Sequence, residues 1–165
     1  MPSPLFELVS ELQTLTRRDF SVADETMLNP LNSRPLVEGE WLAIDSNYKL
    51  VREGDNNAGT ADEGTSFSVF PVHTERGRYD TQVVKKVNVL MLGMYEAETQ
   101  IVDTTGLALG DALTVQDISI GGIVRRGLKK NSGSTSGRVV VGYVTKLYSG
   151  QTKVRFLHQG NIKTP

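Results

Sequence analysis

The chain has 165 residues, of which 38% are hydrophobic and 22% charged, with 18 Lys and Arg against 19 Asp and Glu. That length suits one compact domain, or a domain with a short arm, and is enough to bury a core of its own. The net charge of −1 gives no electrostatic reason to expect a nucleic-acid binder or a membrane-surface protein. The absence of cysteine excludes disulfide frameworks, thiol catalysis and cysteine-based zinc sites.

In chain order, Ser3-Pro4 reads as an N-cap with proline at the first helical position. Leu5, Leu8, Leu12 and Leu15 then recur at three- and four-residue steps, with Arg17-Arg18 closing the segment. This spacing predicts a short amphipathic helix over about residues 4 to 17, too short to stand alone in water. Such a helix docks either on its own domain or, as an arm, on a neighbouring subunit. In the second case Leu5, Phe6, Leu8, Leu12 and Leu15 are the candidate partner-binding residues. Residues 19 to 35 carry Pro30, Pro35, Asn29, Asn32 and Ser33 and read as an irregular connector. On this reading residues 1–35 form an arm and residues 36–165 a β domain.

From Leu36 onward the pattern is strand and turn. Residues 40–44 and 49–52 flank Asp45-Ser46-Asn47-Tyr48 as a hairpin, with Trp41 in the core. Residues 54–64 are a polar, glycine-punctuated loop, and Pro71 marks an edge or strand end. Val87 to Leu92 is a nearly continuous apolar run, expected in a strand buried on both faces, and residues 98–103 continue the β pattern. Further strands are expected at 113–115, 122–125, 138–146 and 153–158. They are separated by Gly106, Gly110-Asp111, Gly121-Gly122, the loop 131–137 and Ser149-Gly150. Many short strands with 16 glycines argue for a mainly β fold, a small β-barrel or β-sandwich.

Chemical motifs are sparse. No Gly-x-Ser-x-Gly elbow is present; Ser134 and Ser136 sit in a low-complexity loop, and His73 and His158 read as surface or strand-end residues. Asp55, Asp62 and Glu63 do not follow an EF-hand spacing and read as a solvated acidic loop. Ile120-Gly121-Gly122-Ile123 is not a phosphate loop. The cluster Arg125, Arg126, Lys129 and Lys130 reads as a solvated or subunit-contacting turn, without the aromatic strand of an RNA-binding sheet. The residues therefore point to a non-enzymatic protein with no catalytic, cofactor-binding or metal-ligating residues. No membrane span or secretory leader is visible, so synthesis and folding in a cytoplasm are expected.

Several stretches carry a resemblance. Residues 35–45 (PLVEGEWLAID), the block from Phe70-Pro71-Val72 through residues 75–82 (ERGRYDTQ) to residues 93–97 (GMYEA), residues 106–113 (GLALGDAL) and residues 140–145 (VVGYVT) resemble tailed-bacteriophage virion structural proteins of the capsid decoration, or cement, type. The resemblance spans about residues 35 to 158. It implies an oligomeric β protein, a homodimer or homotrimer, on the outside of a phage head. There it would bind the major capsid protein and stabilise contacts between capsid subunits. It implies virion localisation after synthesis in the bacterial host, no cofactor, and no direct contact with nucleic acid or membrane. The rival expectation is another virion β module, from a tail or fibre, or a carbohydrate-binding domain.

Overall fold

The computed structural model describes residues 5–52, 69–73, 85–132 and 139–163. Over these residues the chain is mainly β, as its turn and strand grammar predicts. The helix expected over residues 4 to 17 does not form. Strands β1 (Phe6–Glu11) and β2 (Thr16–Ser21) occupy this stretch, followed by a single 3-10 turn at Glu25–Leu28. In β1, Phe6, Leu8 and Ser10 turn inward while Glu7, Val9 and Glu11 face solvent, a period of two. Pairing with a distant strand decides between that alternation and the helical leucine spacing.

The other strands are β3 (Trp41–Ile44), β4 (Leu50–Val51), β5 (Val69–Pro71), β6 (Lys86–Leu92), β7 (Tyr95–Thr99), β8 (Ala112–Ile120), β9 (Ile123–Lys130), β10 (Val139–Val140), β11 (Gly142–Leu147), β12 (Val154–His158) and β13 (Ile162–Lys163). Six of them form an antiparallel sheet in the order β1-β7-β12-β11-β8-β9, curled into a half barrel. Its far edge is covered: Leu128 N donates to Ile101 O, and Asp103 N to Leu128 O, each at 2.9 Å. Residues 101–103, running on from β7, thus pair in parallel with β9 and shield its backbone groups.

A second assembly is a closed circuit. β2 pairs with β6, and β4-β3-β5 forms a three-stranded sheet. Val72 bridges Val89 beyond β5, and Val22 bridges Leu50 beyond β2. The order β2-β6-β5-β3-β4 therefore returns to β2. Inside lie Phe20, Val22, Met27, Leu28, Leu42, Leu50, Val72, Val87 and Val89. The larger core sits between this circuit and the inner face of the curled sheet. Trp41, Val69 and Leu90 enter it from the circuit, and Phe6, Tyr95, Ala97, Leu113, Val115, Leu128 and Phe156 from the sheet. Neighbours Trp41 and Leu42, and likewise Val89 and Leu90, point into opposite cores. The expectation of a strand buried on both faces at Val87 to Leu92 holds through Leu90, after which Leu92 is 65% exposed.

Turn chemistry explains the connections. Asp45 Oδ1 accepts from the backbone N of Asn47 and Lys49 at 2.8 and 2.9 Å, closing the β3–β4 hairpin. Gly121 and Gly122, at φ of 58° and 78°, form a two-residue turn between the paired Ile120 and Ile123. Positive φ at both positions matches the right-handed twist of the flanking strands, and glycine adopts it without strain. No helix among the described residues is long and apolar enough to cross a membrane.

Gly127 in β9 is required by packing instead. A Cβ there would stand 2.3 Å from Ile118 Cδ1 and 2.7 Å from the carbonyl oxygen of Ile101. Replacing Gly127 with alanine forces the 101–103 segment off β9. We expect a loss of about 1–3 kcal/mol in unfolding free energy, measured by urea denaturation.

Candidate functional site

The sites anticipated from sequence are dispersed. His73 Nδ1 lies 3.1 Å from Glu38 Oε1, and its ring sits 5.6 Å from that of Phe6. His158 occupies the third inward position of β12, after Val154 and Phe156, and is 3% exposed. Its Nδ1 is 2.6 Å from the carbonyl oxygen of Val141, and its ring stacks on Tyr95 at 4.7 Å. Each histidine thus has a separate packing role. Among the described residues no group of three or more His, Cys, Asp or Glu gathers to hold a metal. Asp55, Asp62, Glu63, Ser134 and Ser136, and residues 75–82, lie outside the described residues.

The expected partner-binding set does not share one face. Phe6 and Leu15 are buried in the larger core, with Leu8 packed against it, while Leu12 is 53% exposed. Leu5 is half-buried, and its carbonyl accepts from Gln100 N at 2.8 Å. Val9 is exposed on β1 beside them.

The basic cluster is not a turn but part of β9, and its cations are paired. Lys129 reaches Asp103 at 3.7 Å, Lys130 reaches Asp111 at 2.8 Å, and Arg126 reaches Asp117 at 3.0 Å. Arg125 joins a buried cluster that sequence patterning did not single out. Glu40, wholly inaccessible, takes Arg52 Nε on Oε1 at 3.1 Å and Arg52 Nη2 on Oε2 at 3.2 Å. Arg125 Nη1 reaches Oε2 at 3.2 Å, and Val37 N donates to the same oxygen at 3.1 Å. Arg125 also donates to the carbonyl of Pro35. The one signal in the sequence was a charged Glu40 directly before the buried run of β3. Removing this carboxylate strands two buried guanidinium groups. Glu40→Ala is expected to cost about 3–5 kcal/mol, read from the denaturation midpoint.

On the outer face of the curled sheet a second carboxylate is held by cations. Glu98 accepts from Arg155 Nη2 at 2.7 Å and Nε at 3.1 Å, and also pairs with Lys153 and the Tyr148 hydroxyl. Burial alone would raise its pKa, but the bonds from Lys153, Tyr148 and Arg155 outweigh it and hold the group at about 2. Burial lowers the His158 pKa below its ordinary value, against the opposing bond to Val141.

Beside His158 opens a cavity of about 290 Å³, walled by Phe70, Met91 and Leu92. No family model, curated protein or solved structure matches the chain.

Asp24, Asp103 and Asp111, each held below its ordinary 3.8 by hydrogen bonds, share the acid response with Glu98 and His158. These groups all bind protons more weakly folded than unfolded, so all contribute stability at neutral pH that is lost on acidification. His158 contributes the loss that begins below its ordinary value of 6.5, and Glu98 the loss between its ordinary 4.5 and about 2. Glu98→Gln should remove the Glu98 share of the lower window, keep the share of the three aspartates and leave the upper window intact, as read from denaturation midpoints across pH.

Proposed function

We propose that this chain is a non-enzymatic capsid decoration or cement protein. It binds the outside of a phage head through the major capsid protein, assembles with further copies of itself, and stabilises contacts between capsid subunits. The resemblance of residues 35–45, 70–97, 106–113 and 140–145 to virion cement proteins supports this reading. So does a body built as two apolar cores locked by buried ion pairs, which presents a stiff surface rather than a reaction centre. The observation that carries the docking surface is exposed apolar Val9 on β1, the edge strand of the curled sheet, with exposed Leu12 in the bend just after it. Aliphatic groups left in water beside an edge gain most by being covered.

Many copies act together on a head, so a modest contact per copy suffices. Leu12→Asp should leave the fold intact, because Leu12 lies outside both cores. We expect it to weaken attachment to undecorated heads about tenfold in a sedimentation assay. Attachment at full strength would remove Leu12 from the interface. No attachment of the unaltered chain, with electron microscopy finding it off the head, would overturn the proposal.

A further inference from the structure

The alternation of β12 places Val154, Phe156 and His158 on one inward face, so His158 is an imidazole where the pattern calls for an apolar residue. Its Nδ1 lies 2.6 Å from the Val141 carbonyl oxygen. A carbonyl only accepts, so Nδ1 carries the proton and Nε2 presents a lone pair. Among the described residues nothing pairs with Nε2. Trp41 Nε1 and the Tyr95 hydroxyl, on the two rings packed against the imidazole, also make no hydrogen bond. The residue is 97% covered, yet it lines the cavity of about 290 Å³ at the end of the strand. An unpaired acceptor on the wall of a cavity is open to a ligand that supplies a donor.

The remaining lining specifies the rest of the ligand. Phe70, Met91 and Leu92 supply an aromatic ring, a polarisable thioether and an aliphatic wall. Gln13, Gln159 and Asn161 supply amides, the last held by a 2.9 Å bond from its Nδ2 to the Val69 carbonyl. The described lining holds no charged side chain, so an ionic ligand would lose its hydration without gaining a counter-charge.

We infer that the cavity beside β12 is a binding site for a neutral aromatic hydroxyl, a phenol-type group that donates to His158 Nε2 while its ring rests on Phe70, Met91 and Leu92. The site does not rest on the capsid reading. Its ligand is either a free small phenol or the tyrosine side chain of a partner protein.

The test is titration of the full chain, followed by NMR on the His158 ring nitrogens, with p-cresol, toluene, 4-methylbenzoate, benzylamine and N-acetyltyrosinamide. A saturating p-cresol shift with a millimolar or lower dissociation constant is expected. Toluene, which lacks the donor, should bind at least about fivefold more weakly, and the two charged probes should not bind. Binding of N-acetyltyrosinamide at least as tight as p-cresol assigns the group to a partner's tyrosine, and binding of p-cresol alone assigns it to a free phenol. Equal binding of toluene, binding of either charged probe, or no saturating shift overturns the proposal. His158→Phe keeps an aromatic ring and removes the acceptor, and, read from the Met91 methyl resonance, should erase the preference for p-cresol over toluene. The ligand series decides the question even where that variant does not fold.

Discussion

The structure turns on one buried carboxylate. Glu40 lies just before β3, in the closed circuit of strands, while Arg125 lies on β9, at the far edge of the curled sheet. The two assemblies, which share the larger core, are thereby also pinned by a charge-assisted contact that water does not reach. An apolar contact would tolerate sliding between them. A carboxylate with several donors of fixed direction does not, so the relative position of the two assemblies is set to within a hydrogen bond. Arg52 completes the arrangement by returning from β4 to the same group, tying both ends of the hairpin that Glu40 begins.

Much of this plan was legible in the residues. The hairpin around Asp45, the glycine pair between Ile120 and Ile123, the two-faced run ending at Leu90 and the closing hairpin of β11 and β12 all follow local rules of turn chemistry and alternation. The first strand did not. Leu5, Leu8, Leu12 and Leu15 satisfy a helical period by coincidence, because Leu15 reaches the core beside Gly93 only after the chain bends beyond β1, and Leu12 is left exposed. Only pairing with β7, about 84 to 93 positions away, settles that segment as a strand, and such pairing leaves no trace in a local window.

The candidate sites divide the same way. The isolation of each histidine was visible as a lack of neighbouring motif. The burial of Arg125 and Arg126 was not, since adjacent basic residues on a strand look like a solvated turn until their acidic partners are located. The value of His158 was hidden for a related reason: its proton is assigned by a backbone carbonyl 17 positions earlier, a partner without side-chain identity.

The place of β7 between β1 and β12 has a kinetic consequence. One neighbour is drawn from about 84 to 93 positions before it and the other from about 55 to 63 positions after it. Each pairing must close a long loop before any ladder bond repays the lost chain entropy. A chain emerging from the ribosome can form the Asp45 hairpin at once, but it holds an incomplete sheet with an open edge until β12 has been synthesised. The sheet therefore closes only once β12 arrives, and the interval before then is when its core is most exposed to association with other unfinished chains.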